Sequence, residues 1–419
     1  MDDTTSLVKV EKLAAGGEGI AFAGGKAIFI PFSIPGETIR IRPIKETKGY
    51  IRAEIIDILT PSSDRTVPEC PLFGICGGCS LQHIEYTAQL KLKAEAARES
   101  FVRIGKFDPG PLPLHSDTPY HYRNRAQFHL TLDGGIGFMK ADSDDAIRLG
   151  SGCPILKPVL DTWLKSQNRK TKPAKAMQLY IDQQKRFMAF ADDTKLYIEG
   201  KDRTAHVVLA ERSYHFPVKH FFQSNLAMAK KLIKDIELRL PEPGECAVDL
   251  YAGAGLFSKI LVERFSDVSC VENDTVSLEA ARENCSGYSM RFFPMDVETW
   301  VSRELSRMGK SAPSVASVET SRSTGPAIKT SVKAFDCVIA DPPRQGLPPI
   351  LKTWLTSTAI KKFFYVSCDH VTLARDIGEL IKNGWEIESL ELYDFYPQTG
   401  HLESLAVLRP AKNRAGTGA

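Results

Sequence analysis

Residues 249–257 read Asp-Leu-Tyr-Ala-Gly-Ala-Gly-Leu-Phe and decide the fold class of this chain. The run at 247–251 predicts a strand and residues 256–265 predict a helix, so two glycines fall at the turn between them. Gly253 and Gly255 have no side chain, which lets the backbone turn sharply and approach a ligand closely. The stretch therefore predicts the first strand, turn and helix of an α/β domain.

Strands and helices continue to alternate after this turn. A second helix is predicted at 275–284, and further strands are predicted at 268–271, 335–340, 363–367 and 402–408. Chains that alternate in this way form doubly wound, mainly parallel sheets. We therefore expect a doubly wound α/β domain with a Rossmann-like sheet from about residue 245 onward.

Three carboxylates follow successive predicted strands of this domain. Glu272 ends the second strand, where it can accept hydrogen bonds from both ribose hydroxyls of a nucleoside cofactor. Asp296, which follows residues 291–295, is placed for the adenine amine, and Asp341 closes the strand predicted at 335–340 at the same crevice. Ser258 stands where a dinucleotide site prefers a third glycine. Together these residues favour S-adenosylmethionine over NAD; the alternative is a simple glycine turn with surface acids.

A cysteine ends a later predicted strand. Cys368 follows residues 363–367 and directly precedes a helix predicted at 371–380. Orphan N–H groups and the helix dipole favour an anion there, and a thiolate is the nucleophilic form of cysteine. Asp369 is expected to cap the helix, and its negative charge would partly oppose the stabilisation of a Cys368 thiolate. The alternative interpretation is a buried cysteine that packs as a small hydrophobic side chain.

Asp341-Pro342-Pro343-Arg344 resembles the motif of amino-methylating enzymes, but Arg344 stands where those enzymes have an aromatic residue. With a thiol on the neighbouring strand, the pattern favours attack on a ring carbon. Methylation at carbon 5 of uracil needs a thiolate that adds to carbon 6 and a base that removes the carbon 5 proton. Cys368 is the candidate nucleophile and Glu403 the candidate base; the alternative for Glu403 is a surface residue on an edge strand.

Four cysteines lie in loop-like surroundings. Cys70, Cys76, Cys79 and the distant Cys153 offer four thiolates, which suit either a zinc ion or an iron–sulfur cluster. Because thiolates bind both zinc and iron, the ligand type does not decide between the two. The other cysteines outside the candidate site are expected in the core, namely Cys246, Cys270, Cys285 and Cys337. An odd total of nine cysteines disfavours a disulfide framework.

Short strands and basic segments characterise the remainder of the chain. Strands are predicted at 27–31, 38–43 and 51–59, separated by glycine turns, as in an OB-like barrel. Basic residues cluster in segments 40–52, 120–125 and 165–175. Basic groups contact phosphate and aromatic rings stack on unpaired bases, so RNA or DNA binding is expected, although each segment alone is typical of a solvated face.

The chain of 419 residues is too long for one typical core. We predict three domains: an OB-like β-barrel at 1–60, a central α+β domain around the cysteines at 70–84 and 118–215, and the α/β domain at 85–117 and 216–410. Residues 303–333, rich in Ser, Thr and Lys, are predicted to be an exposed, flexible insertion.

The composition sets broad limits on the class of protein. Hydrophobic residues make up 43% and charged residues 25%, with a net charge of +3, as in ordinary globular proteins. The acidic, polar N-terminus is unlike a secretory signal, and no apolar run approaches the ~18 residues of a membrane span. We expect a cytoplasmic protein with no membrane partner, and a monomer.

The motifs taken together resemble the RNA uracil-5-methyltransferase family over nearly the whole chain. The matching stretches are the Cys-x5-Cys-Gly-Gly-Cys knot with Cys153, residues 122–125, 221–225 and 249–257, Asp341-Pro-Pro-Arg, Ser367-Cys368-Asp369, and His401-Leu402-Glu403. The N-terminal module resembles the TRAM domain of the ribosomal-RNA branch. Two departures are Leu256, where some relatives carry a polar residue, and the insertion at 303–333.

This resemblance implies roles for particular residues. The four knot cysteines would bind a 4Fe–4S cluster, and Arg125 would help hold the target uridine. Cys368 and Glu403 match the nucleophile and the base. The positions that match cofactor contacts are Gln223, Tyr251, Glu272, Asp296 and Asp341.

The leading hypothesis is therefore an S-adenosylmethionine-dependent enzyme that makes 5-methyluridine in RNA, with 23S ribosomal RNA as the expected substrate. The alternatives are the same chemistry on transfer RNA, an amino-methyltransferase acting on adenine or cytosine, and an iron–sulfur RNA-binding protein without catalysis. Because the target base must leave its stack, a single-stranded or loop target is expected.

Overall fold

A computed structural model describes residues 5–169, 186–309 and 334–412. The chain divides into two compact units: a first unit of residues 1–209, 217–231 and 391–403, and a second unit of 210–216, 232–390 and 404–419. The three-domain division made from the sequence stays a prediction. Each unit is described separately.

The first unit begins with a six-stranded sheet. Its strands are β1 (Ser6–Lys9), β2 (Lys12–Leu13), β3 (Gly19–Ala23), β4 (Lys26–Ile30), β5 (Thr38–Glu46) and β6 (Tyr50–Thr60), in the order β1-β5-β6-β4-β3-β2. Ile39 and Ile41 of β5 are buried while Arg40 and Arg42 point outward, the two-residue period of a half-buried strand. The predicted all-β module is confirmed, although strands β1, β2 and β3 were not predicted.

The remainder of the first unit combines helices with a second sheet. Helix α1 (Tyr86–Ser100) continues as a π-helix (Phe101–Gly105). The next strands are β7 (Leu114–His115), β8 (Arg125–Leu130), β9 (Ile136–Met139), β10 (Ala146–Arg148), β11 (Arg186–Ala191), β12 (Leu196–Ile198) and β13 (Thr204–Leu209). Five of them form a sheet in the order β10-β9-β8-β11-β12.

Helix α2 (Pro158–Asn168) lies in the predicted α+β region at 118–215, although no individual helix was predicted there. Its buried side chains pack in one hydrophobic core with strands β8, β9 and β11 and with Cys153. The basic segment at 165–175 lies partly outside the described residues. The predicted α+β character of this region is therefore confirmed, with one more helix than the sequence pattern indicated.

The second unit contains the α/β sheet. After β14 (Arg212–Pro217) and α3 (Leu226–Arg239), the elements are β15 (Gly244–Leu250), α4 (Ser258–Leu261), β16 (Phe265–Glu272), α5 (Thr275–Asn284), β17 (Met290–Pro294), α6 (Val297–Arg307), β18 (Phe335–Ala340), α7 (Pro349–Ser357), β19 (Ile360–Ser367), α8 (His370–Lys382), β20 (Trp385–Tyr393) and β21 (Glu403–Pro410). The sheet order includes β17-β16-β15-β18-β19-β21-β20.

Strand β15 lies in the middle of this sheet, and the chain leaves it first toward β16 and β17 and later toward β18 and β19. These strands are parallel, with Leu250 opposite Ala340, whereas β21 is antiparallel to β19. A reversal of strand order at β15 and β18 is the switch point at which doubly wound sheets bind ligands. The predicted doubly wound, mainly parallel α/β fold is confirmed.

Two local predictions need correction. The helix after the glycine turn covers Ser258–Leu261 rather than 256–265, because Phe265 already begins β16. The predicted insertion at 303–333 begins too early, because α6 continues to Arg307; residues 310–333 lie outside the described part. In the described part of the chain, every helix is too short or too polar to cross a membrane.

Candidate active site and cysteine cluster

A cavity of about 1060 Å³ lies at the carboxyl ends of the parallel strands. It brings together three of the residues predicted to contact the cofactor: Tyr251, Glu272 and Asp296. Its other walls come from the segment after β18 and from α7 and α8, including Gln345, Gly346, Leu347, Lys352, Arg375 and Glu379. The volume is sufficient for a ligand of nucleoside size or larger.

The glycine turn adopts left-handed backbone conformations. Tyr251 has φ of 63°, Gly253 of 54° and Gly255 of 80°. A side chain on Gly255 would place its Cβ atom 2.9 Å from the Cβ atom of Ala281 on α5. Gly255 is therefore required both by its backbone angle and by the close approach of α5, while Gly253 faces open space.

Gly255→Ala is expected to lower the free energy of unfolding by about 2–5 kcal/mol, because left-handed strain adds to overpacking. Gly253→Ala is the matched control, since it adds the same methyl group without a neighbour within 4 Å. It should cost about 1–2 kcal/mol. Urea denaturation measures both, and equal losses in the two variants would contradict the packing argument.

Glu272 and Asp296 both support backbone turns next to the cavity. Glu272 accepts hydrogen bonds from the N–H of Gly253 at 2.9 Å and of Asp274 at 2.7 Å. Asp296 caps α6 by accepting from the N–H of Thr299 at 2.7 Å. A carboxylate has about four lone-pair sites, so these contacts leave capacity for ribose hydroxyls or an amine.

Two carboxyl groups flank the switch point. Asp249 in β15 is buried and accepts from the hydroxyl of Ser258 at 2.6 Å. Burial raises its pKa to about 7, and the nearby Asp341 carboxylate adds to this rise. Burial likewise raises the pKa of Asp341 to about 7. Gln223, the remaining predicted cofactor contact, is a buried residue of the first unit.

The raised pKa of Asp249 predicts a pH-dependent stability. An unfolded Asp has a pKa of about 3.9, so between pH ~4 and ~7 the folded protein keeps a proton that the unfolded chain releases. Raising the pH through this window should therefore remove stability. Asp249→Asn should reduce the slope by up to about 1.4 kcal/mol per pH unit in urea denaturation. An unchanged slope in Asp249→Asn would refute the assignment.

One buried carboxylate near the cavity was missed in the sequence. Asp376 on α8 is fully buried and accepts from the Leu347 N–H at 2.8 Å and from the Tyr365 hydroxyl at 2.9 Å. Its other oxygen accepts from Lys352 at 3.3 Å and Arg375 at 3.0 Å. Asp376 thus fixes three residues that line the cavity. The sequence signal that could have identified it is an acidic residue at a position of α8 whose neighbours on the same face are apolar and buried.

Asp376→Asn is expected to lower the free energy of unfolding by about 1–3 kcal/mol, because an amide cannot accept all four hydrogen bonds that the buried carboxylate accepts. It should also raise the KM for S-adenosylmethionine, since Leu347, Lys352 and Arg375 lose their common acceptor. Tyr365→Phe removes one hydrogen bond from the same carboxylate and should cost about 1 kcal/mol. If folded Asp376→Asn has the parent KM, the carboxylate does not shape the cavity.

Cys368 and Glu403 follow from the pairing of β19 with β21. The antiparallel register pairs Ser367 with Ser404. Cys368 comes directly after Ser367 and Glu403 directly before Ser404, so both lie next to this pair at the same end of the two strands. Cys368 is partly exposed, and Asp369 caps α8 as predicted, accepting from the N–H groups of Val371 and Thr372. Glu403 is 6% exposed, so the alternative of a surface glutamate is wrong.

The four knot cysteines lie within electrostatic reach of one another. Burial, reinforced by the charges of the other thiolates, raises the pKa of Cys79 to about 11 and of Cys153 to about 12. Burial and Cys70 also raise the pKa of Cys76, while Arg123 opposes the rise. Among the described residues, no three of these sulfur atoms lie within 4.8 Å of one another. The predicted core cysteines, Cys246, Cys270, Cys285 and Cys337, are buried.

Arg125 is the first residue of β8 and is held by the backbone. Its guanidinium donates to the carbonyl oxygens of Lys219 at 3.1 Å and His220 at 2.7 Å. Burial lowers its pKa to about 10, with the Arg123 charge as the next cause. The predicted contact with the target uridine stays a prediction.

Known proteins are similar to this chain over most of its length. A family model described as tRNA (uracil-5-)-methyltransferase matches residues 156–411, and the TRAM domain of tRNA (uracil(54)-C(5))-methyltransferase matches residues 7–63. A protein of Treponema denticola, described as an uncharacterized RNA methyltransferase, is 31% identical over 96% of this chain and 98% of its own. The 23S rRNA (uracil(1939)-C(5))-methyltransferase RlmD of Neisseria lactamica is 28% identical over 97% and 96%.

A solved structure shows the same fold. The Pyrococcus abyssi tRNA (uracil-54, C5)-methyltransferase, in complex with S-adenosyl-L-homocysteine, has a TM-score of 0.67 and 21% identity, over 96% of this chain and 99% of its own. The sheet and its glycine turn thus define a Rossmann-like methyltransferase with an N-terminal TRAM domain. The chain belongs to the tRNA (uracil-5-)-methyltransferase family, which confirms the resemblance seen in its motifs.

Proposed function

We propose that this protein transfers the methyl group of S-adenosylmethionine to carbon 5 of a uridine in 23S ribosomal RNA. The placement of Cys368 and Glu403 next to the paired Ser367 and Ser404 carries the proposal, because the reaction needs a nucleophile and a base together. The substrate follows from the full-length similarity to the RlmD enzyme of Neisseria lactamica. The protein acts as a cytoplasmic monomer in this proposal.

The reaction begins when the Cys368 thiolate adds to carbon 6 of the flipped uracil. The new S–C6 bond makes carbon 5 nucleophilic, and carbon 5 takes the methyl group as the bond from that methyl to the sulfonium sulfur breaks. S-adenosylhomocysteine leaves as the by-product. Glu403 then removes the proton from carbon 5, the S–C6 bond breaks, and the thiolate is regenerated with 5-methyluridine as the product.

The chain's own residues prepare the cofactor cavity for this step. Glu272 would accept from the ribose hydroxyls and Asp296 from the adenine amine, while Tyr251 forms an adjacent wall. Gln223 and Asp341 would complete the contacts. Bound there, S-adenosylmethionine supplies the electrophilic methyl group.

We also propose that Cys70, Cys76, Cys79 and Cys153 hold a 4Fe–4S cluster. Four thiolates suit either a zinc ion or an iron–sulfur cluster, and the resemblance of the knot to that of the family favours the cluster. Elemental analysis and the visible absorbance of an anaerobic preparation separate iron from zinc.

Product analysis tests the proposed activity. The protein is incubated with labelled S-adenosylmethionine and separate transcripts of 23S ribosomal RNA and transfer RNA, and the nucleosides are identified by mass spectrometry. We expect 5-methyluridine in the ribosomal transcript. Label in transfer RNA alone would show that transfer RNA is the substrate instead. Methylated adenine or cytosine would show that the enzyme is an amino-methyltransferase. Tight RNA binding without label would favour the non-catalytic alternative.

A further inference from the structure

The segment that immediately precedes Glu403 is fixed within the first unit. Residues 394–402, which we call the base-bearing segment, join β20 to β21 without regular structure. Asp394 and Gln398 within it are nevertheless buried, as is Glu403 after it. A segment without regular structure needs other partners for its backbone groups when it is buried, and α1 and the cysteine knot supply them.

Lys93 of α1 joins both ends of this segment. Its ammonium group donates to the Asp394 carboxylate at 2.7 Å and to the carbonyl oxygens of Tyr396 and His401, both at 3.2 Å. An ammonium has three donors, and all three therefore go to this one segment. The Tyr86 hydroxyl donates to the other oxygen of Asp394 at 2.9 Å.

The cysteine knot holds the middle of the same segment. The N–H groups of Ser80 and Leu81, directly after Cys79, donate to the carbonyl oxygen of Gln398 at 2.9 and 3.0 Å. The Gly400 N–H donates to the Ser80 hydroxyl at 3.2 Å. Gln398 has a left-handed φ of 67°, and its side chain accepts from Gln89 of α1 at 2.9 Å. A conformation that is unfavourable for glutamine is thus maintained by several contacts.

We propose that Lys93 is a positioning residue for the general base: it holds the base-bearing segment in the one conformation that orients the Glu403 carboxylate for proton removal. The inference rests on the proposed role of Glu403. A purely structural ion pair would need one acceptor for Lys93, whereas here the same ammonium fixes the first residue of the segment and a residue two positions before the base. A buried charge costs free energy unless it is fully paired, which Lys93 achieves only with this segment in place.

The experiment separates formation of the covalent adduct from its release in the full-length protein. The variant is Lys93→Met combined with Asp394→Asn, which removes both charges and leaves no unpaired ion. Asn168→Ala is the control. Asn168 is also buried in the first unit, and its side chain makes three hydrogen bonds, all to Ile136 and Leu149 and none to the base-bearing segment. Adduct formation is followed with RNA that contains 5-fluorouridine, and release is followed with ordinary uridine in single turnovers.

We expect the variant to form the 5-fluorouridine adduct at close to the parent rate but to release methylated RNA about 10- to 100-fold more slowly, as for a misplaced catalytic group. Asn168→Ala should change neither rate per folded molecule. Equal slowing of both steps, or parent-like release, would overturn the role of Lys93. If Glu403→Gln itself releases product at the parent rate, the proposed base has failed instead.

Discussion

Cys368→Ala is expected to abolish methyl transfer, with a fall in kcat of at least about 10⁴-fold. Without the sulfur, carbon 6 receives no nucleophile, and carbon 5 of uracil is too weak a nucleophile to take the methyl group. RNA that contains 5-fluorouridine provides the direct measurement. Fluorine at carbon 5 cannot be removed as a proton, so the parent enzyme should be trapped as a covalent complex visible on a denaturing gel, and Cys368→Ala should give none.

Cys246→Ala provides the matched control, because Cys246 is a buried cysteine of the same unit with no place in the proposed reaction. It should still form the trapped complex. A complex of normal yield from Cys368→Ala would assign the nucleophile to a different residue. Loss of the complex in both variants, with normal folding, would mean that the trap reports on something other than one thiol.

Glu403→Gln should leave the early steps intact and slow the last one. Glutamine has nearly the same shape but cannot accept the carbon 5 proton, so methylated RNA should accumulate while still bound to Cys368. A general base typically contributes 10²–10⁴-fold, so release should slow by about that factor. Quenched-flow samples resolved by denaturing electrophoresis measure the methylated adduct directly.

Glu304→Gln serves as the control for this variant, because Glu304 is a buried glutamate on α6 that pairs with Arg307. It should release product at the parent rate. Rapid turnover by Glu403→Gln without an accumulated adduct would show that a different group removes the proton.

The sequence predicted those parts of the fold that depend on local pattern. The helix predicted at 275–284 and the strand predicted at 335–340 match α5 and β18 without error. In both places the spacing of the apolar residues and the turn residues on either side indicate the same element. The helix after the glycine turn was overestimated, since Leu256 and Phe257 are buried in the turn itself rather than in a helix. Apolar residues in a turn have the same pattern as those in a short helix.

Site residues could be predicted where the residue type and its place at the end of a strand or the start of a helix indicate a chemical role. Acids after strands and a cysteine before a helix are such cases, and Tyr251, Glu272 and Asp296 line one cavity as expected. Asp376 and Lys93 were missed for the opposite reason. Charged residues in helices are normally solvated, and their burial results from partners distant in sequence, such as Leu347 for the first and Asp394 for the second.

The discontinuous make-up of the first unit has a consequence for how the protein reaches its native state. Its residues come from three stretches, and the last, 391–403, joins α1 across some three hundred positions of sequence. Contacts of such high sequence separation slow folding and leave the ribosome-bound chain incomplete until nearly all of it has emerged. A fragment that ends at residue 209 should therefore expose the apolar surface of α1 around Ala97, which packs with Leu392 and Leu402 in the full chain, and should aggregate when it is expressed by itself.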